Sequence, residues 1–127
     1  MCTVTQIAQL DLPLDMAAPA MAREFLRERH CAQHHSSVLP DAELLVSELV
    51  TNGLRHGAPP IQLRVECEGD GRLRVSVRDR SPRLPQVGVP QLTDEGGRGM
   101  QLVDYISEEW GAVPSQDGKE VWFRLAA

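Results

Sequence analysis

The stretch Glu48-Leu49-Val50-Thr51-Asn52-Gly53-Leu54-Arg55-His56-Gly57 sets a carboxylate, a carboxamide and an imidazole among aliphatic residues. Glu48, Asn52 and His56 recur at i, i+4 and i+8, so they form a row along one side of a helix. Leu45, Val46, Leu49, Val50 and Gly53 supply the apolar stripe that such a helix buries. Burial alone asks for no Glu or Asn at the border of that stripe. A carboxylate on a rigid helix suits the removal of a proton from a hydroxyl nucleophile. An Asn carbonyl oxygen is a hard ligand of the kind Mg²⁺ takes, beside water and substrate phosphates. The same spacing also fits two polar residues that merely solvate a helix edge, and spacing by itself does not separate the two readings.

Outward from this helix, hydropathy and turn residues order the chain. Asp41 opens the helix and Gly57-Ala58-Pro59-Pro60 closes it after His56. Upstream, Thr3 to Leu12 reads as an edge strand stopped by Pro13. Asp15 is a candidate cap for a first amphipathic helix, with Pro19 near its first turn, Met21, Ala22, Phe25 and Leu26 inward, and an end near His34 and His35. Downstream, Ile61, Leu63, Val65 and Cys67 alternate with polar residues, as do Leu73, Val75 and Val77. Gly69-Asp70-Gly71 joins them as a hairpin with one buried face. Asp79 to Gly97 is an irregular loop with Pro82, Pro85 and Pro90, and its length marks it as functional or mobile. A short helix after Gly96-Gly97-Arg98-Gly99 carries Met100, Leu102, Val103 and Ile106. Two strands close the chain, near Ser107 to Val113 and Glu120 to Leu125.

The order β, α, α, β, β, loop, α, β, β predicts an α+β two-layer sandwich, with helices on one face of a mixed, mostly antiparallel sheet. The 127 residues form one domain, 1–127, large enough for a true core. A net charge of −5 disfavours direct nucleic-acid binding. No apolar run is long enough for a bilayer span and no secretory leader is apparent, so a cytoplasmic protein is expected. Cys2, Cys31 and Cys67 lack metal-ligand spacing and are expected as reduced thiols.

Two further groups carry chemistry. Asp79 ends a hairpin strand at the start of the loop, where a carboxylate accepts a hydrogen bond from an exocyclic amine such as that of adenine. A turn Asp bonding its own backbone fits equally. Gly96-Gly97-Arg98-Gly99-Met100 sets glycines at a helix N-terminus, where free N–H groups meet phosphate oxygens. A plain hinge fits as well. A P-loop motif and a Rossmann glycine motif are absent. His30, His34 and His35 read as residues at a helix C-terminus that favour its dipole, and Arg72, Arg74 and Arg78 as the solvated face of the hairpin.

Taken in order, Glu48-x-x-x-Asn52, His56-Gly57, Asp79 and Gly97-Arg98-Gly99 resemble the GHKL (Bergerat-fold) ATPases. The segments ELVTNGLRHG, VSVRDRSPRLP, GGRGMQLVD and GKEVWFRL are most similar to the anti-sigma-factor serine-kinase branch. The resemblance spans nearly the whole chain. It implies Glu48 as the base for a partner's serine hydroxyl, Asn52 as the Mg²⁺ ligand and His56 as support on the nucleotide side. It implies Asp79 against the adenine amine, and Gly97, Arg98, Gly99 and Met100 at the phosphate end of a lid over ATP. It further implies a sigma factor and a STAS-domain antagonist as partners, and homodimers, which are frequent in that branch. Two departures bear on the nucleotide. Ser81 and Arg83 stand where the family has glycines, which removes conformational freedom there. Lys119 follows Gly118 where many members have Thr. A catalytically silent binding module, or an ATPase that gates another partner, is the competing expectation.

Overall fold

The computed structural model describes residues 6–30, 36–68, 71–82 and 95–126. Strand β1 (Gln6–Leu12) leads to α1 (Ala18–Arg29). A 3-10 turn (Ser36–Val38) enters α2 (Leu39–His56). The hairpin β2 (Ile61–Glu68) and β3 (Arg72–Asp79) follows, then α3 (Glu95–Ile106), β4 (Glu109–Ser115) and β5 (Gly118–Ala126). The expected order is present. The five strands lie in the order β1-β2-β3-β5-β4, and every pairing is antiparallel, so the parallel component of a mixed sheet is absent among the described residues. Because β3 pairs with β5, Asp79 faces Lys119 across the sheet.

The helix boundaries differ from the sequence reading in instructive ways. Helix α1 ends at Arg29, and His30 stops it by hydrogen bonding: Nδ1 lies 3.0 Å from Leu26 O and 2.9 Å from Arg27 O, where a ring proton satisfies carbonyls the helix leaves open. His34 and His35 lie outside the described residues. Asp15 does not cap α1. Its Oδ1 accepts from Ala17 N at 2.7 Å, in a turn one step before the helix. Helix α2 starts two residues early, at Leu39, with Pro40 in its first turn, where a missing N–H costs nothing.

Each strand of the hairpin buries alternate residues. Ile61, Leu63 and Val65 of β2, Leu73, Val75 and Val77 of β3, and Val121, Phe123 and Leu125 of β5 form the sheet side of the core. Leu45, Val46, Leu49 and Val50 of α2 and Ala22 and Leu26 of α1 close it from above. Arg23 Nη1 donates to Ser47 Oγ at 2.8 Å and Arg27 pairs with Glu43 at 2.6 Å, fixing α1 against α2. The other sheet face is wet but ordered. Arg74 and Arg124 stack on the Trp122 ring at 4.8 and 5.3 Å, and pair with Glu66, Glu120, Glu68 and Glu109. The hairpin arginines are therefore members of a cross-strand lattice rather than separate solvated charges.

Cys67 is disulfide-bonded, contrary to the expectation of reduced thiols, and its partner lies outside the described residues. No helix among the described residues is long and apolar enough to cross a membrane.

Candidate functional site

Helix α2 carries the two central groups because its stripe of Leu45, Leu49 and Val50 pins it to the sheet and leaves Glu48 and Asn52 at the stripe's border. Asn52 is buried to 9 % exposure, yet its carboxamide makes no hydrogen bond among the described residues. Its polar atoms are not among the sealed, unpartnered ones, so the carboxamide remains open to water or a ligand. Glu48, one turn earlier, is half-buried, and no described residue donates a hydrogen bond to its carboxylate. Burial raises its pKa above the ordinary 4.5, and the Arg55 charge partly opposes that rise. A carboxyl raised in this way holds a proton more readily, which suits a general base. His56 is exposed in the last turn, so the helical row does not carry all three residues into one buried setting.

The C-terminal end of α2 abuts Asp79. Arg80 N donates to Ala58 O at 2.8 Å and ties β3 to the segment after the helix. Gly57 makes that approach feasible. A Cβ there would stand 2.5 Å from Gly53 O and 2.7 Å from Asp79 Cγ, closer than any side chain tolerates. Gly118 plays the same part from the opposite side, since its Cβ would lie 2.0 Å from Asp79 O.

Asp79 is buried and already engaged. Its Oδ1 accepts from Ser81 N at 2.7 Å and from Lys119 Nζ at 3.0 Å, and both side chains of the ion pair are nearly sealed, at 1 % and 2 % exposure. The turn-Asp reading is thus realised at Asp79, through the Ser81 N–H. Lys119 was visible in the sequence only as a departure after Gly118. Its pairing with Asp79 follows from the β3–β5 register, which local sequence does not reveal. A cavity of about 510 Å³ is lined by Asp79 and Lys119 together with Arg78, Arg80, Gln62 and Asp117, but by neither Glu48 nor Asn52.

The glycine run sits differently from the expectation. Gly97, Arg98 and Gly99 lie inside α3, which begins at Glu95, and not ahead of it. An α-helix leaves only its first N–H groups without an acceptor. Gly97 thus keeps an N–H for an anion, whereas those of Gly99 and Met100 fall to the helix's own carbonyls. The Met100 side chain is a core residue at 2 % exposure. Arg83 lies outside the described residues. Among the described residues no three His, Cys, Asp or Glu cluster as a metal centre. The fit to a metal–nucleotide complex therefore rests on the unpartnered Asn52 carboxamide, the donor type that Mg²⁺ shares with phosphates and water.

Comparisons with known proteins bear on the family and the fold. An uncharacterized protein of Streptomyces coelicolor, SCO4941, is 32 % identical over 80 residues, covering 60 % of this chain and 76 % of that protein. A structure of the RsbU and RsbW domains of Rv1364c from Mycobacterium tuberculosis superposes with a TM-score of 0.65 at 23 % identity, over 95 % of this chain and 32 % of that one, a likeness of fold. The histidine kinase domain of the blue-light activated histidine kinase from Erythrobacter litoralis EL346 gives a TM-score of 0.53 at 28 % identity, over 70 % of this chain and 44 % of that one. This chain thus spans less than half the length of either solved structure. The family model of the histidine kinase-like ATPase domain matches residues 12–125, which runs from the end of β1 to β5 and takes in every site residue above. The α+β sandwich with Glu48 and Asn52 on its central helix and Asp79 beneath that helix's end is a GHKL ATPase architecture, and the chain belongs to the histidine kinase-like ATPase domain family.

Proposed function

We propose that this protein is a Mg-ATP-dependent protein serine kinase that restrains a sigma factor and phosphorylates a STAS-domain antagonist of that restraint. The observation that carries the reading is the pair on α2: a half-buried Glu48 carboxylate and a buried Asn52 carboxamide, both without a hydrogen-bond partner among the described residues. The serine-kinase branch is supported by the resemblance of the segments around Glu48, Asp79, Gly97 and Lys119, and by the fold likeness to a chain that contains an RsbW domain.

In this reading Mg-ATP supplies the γ-phosphoryl group. Asn52 Oδ1 would hold the metal. Glu48 would accept the proton of the partner's serine hydroxyl, and its burial-raised pKa brings it closer to that task at neutral pH. Gly97 N–H would face a phosphate oxygen, and Asp79 would stand at the base. Catalysis of this kind rests on positioning and on neutralising charge. Removing the base costs roughly 10²- to 10⁴-fold. We assign no step to His56, Arg98, Gly99 or Met100.

A second reading is a binding module with little catalysis, favoured by the engagement of Asp79 with Lys119 and Ser81. Incubation with Mg-ATP and a STAS-domain protein, followed by mass spectrometry, separates the two. Phosphoserine on the STAS protein that vanishes with Glu48→Gln supports the kinase. Stable capture of a sigma factor with no phosphoserine under any condition refutes it in favour of the binding module.

A further inference from the structure

We propose that Lys119 is a positioning residue for the nucleotide base: together with the Ser81 N–H it ties down Asp79 Oδ1, so that Oδ2 alone faces a base and accepts from its exocyclic amine. This rests on the reading of Asp79 as the base-facing carboxylate and names the residue that aims it. Lys119 itself touches no base, because its side chain is 1 % exposed.

A carboxylate has two like oxygens, and rotation about its Cβ–Cγ bond exchanges them. At Asp79 the two are not alike. Oδ1 accepts from Ser81 N at 2.7 Å and from Lys119 Nζ at 3.0 Å. Rotation of the carboxylate breaks both bonds, one of them between two charges, in a buried setting where little water replaces them. Oδ2 takes no hydrogen bond from a described residue, and it is not among the sealed, unpartnered atoms. It lies beside Gly57, where a Cβ would stand 2.7 Å from it, so the glycine leaves that side of the oxygen uncovered. One oxygen is held by the protein and the other stays open.

The sheet keeps the lysine in this role. The β3–β5 register sets Lys119 directly opposite Asp79, and Gly118 brings the strands so close that a Cβ there would stand 2.0 Å from Asp79 O. Among the described residues the ammonium has one other acceptor, Ser81 O at 3.5 Å. An ion pair built for stability alone gains by engaging both carboxylate oxygens. This one converges two donors on a single oxygen. An acceptor already fixed loses no rotational freedom when a ligand binds, which favours a base that carries the amine over one that lacks it.

The test is calorimetry on the full chain with Mg-ATP and with the Mg complex of purine riboside triphosphate, which has no amine at position 6. Wild type is expected to bind ATP at least about tenfold tighter, as for one hydrogen bond to a charged acceptor. Lys119→Met keeps the reach of the side chain and removes the ammonium. It is expected to lower that ratio at least about threefold by weakening ATP, while the riboside triphosphate keeps its wild-type affinity. A lysine that only stabilised the fold would weaken both ligands by the same factor, so an unchanged ratio in the variant overturns the inference. Equal affinities in wild type also overturn it and leave the kinase reading standing. If the variant does not fold, a crystal structure of wild type with a non-hydrolysable Mg-ATP analogue decides. The amine on Oδ2, with Lys119 Nζ still on Oδ1, supports the inference; the amine on Oδ1, or a lysine swung away from Asp79, overturns it. Binding of neither triphosphate overturns the nucleotide reading and this inference with it.

Discussion

Replacing Lys119 with Met leaves the Asp79 carboxylate 2 % exposed with no cation beside it. Breaking a buried ion pair from one side costs roughly 3–5 kcal/mol, because the remaining charge is left uncompensated. A domain of 127 residues unfolds with about 2.1 cal/mol/K per residue, so each kcal/mol shifts the melting temperature by about 4 °C and the loss amounts to roughly 11–19 °C. The companion variant Lys119→Met/Asp79→Asn removes both charges and keeps an oxygen for Ser81 N. It replaces a charged pair by neutral groups, and its cost should fall to about 1–2 kcal/mol. The double variant is thus expected to be more stable than the single one. Thermal and urea unfolding of wild type, both single variants and the double variant measure the coupling, expected at about 2 kcal/mol or more. Additive losses would refute the claim that Lys119 and Asp79 act as one unit.

Three other outcomes follow from the site. Glu48→Gln should raise the melting temperature at pH 7. Burial raises the folded-state pKa of Glu48 above 4.5, so the folded protein loses stability as pH climbs from the unfolded pKa to the folded one. The gain should fade as pH falls below 4.5, where the wild-type carboxyl is protonated in both states, and a pH series of thermal melts checks both limbs. Gly57→Ala should cost about 1–3 kcal/mol by overpacking, since φ at Gly57 is −90°, within reach of any residue, and the clash with Gly53 O and Asp79 is steric alone. Gly53→Ala, whose Cβ would first meet Ile61 Cδ1 at 3.7 Å, should instead stabilise α2 by about 0.5–1 kcal/mol, and urea midpoints compare the two.

Much of this architecture was legible because it is local. The stripe Leu45, Val46, Leu49, Val50 specifies α2 and its buried face. Strict alternation through Ile61 to Cys67 and Leu73 to Val77 specifies the hairpin. Glu48 and Asn52 stood out because they are polar at the edge of an apolar stripe. What stayed hidden depends on residues far apart in the chain. Lys119 looked like a turn residue until the β3–β5 pairing set it against Asp79, 40 positions away. Gly57 looked like a helix stop, and only the docking of α2 onto β3 shows that it also makes room for a carboxylate. The start of α3 was misread because glycines weaken a helix, while the burial of Met100 and Val103 against the core favours one from Glu95 onward. The disulfide at Cys67 had no signal in the cysteine spacing.

The central claim is that α2 presents a magnesium–nucleotide site through Asn52 and Glu48. Calorimetric titration with ATP, in the presence of Mg²⁺ and again with the metal chelated, tests it most directly for wild type and Asn52→Ala. Saturable binding to wild type that weakens at least about tenfold on chelation, and on the Asn52→Ala change, is the predicted result. Binding that is indifferent to both the metal and Asn52, or no binding at all, would contradict it.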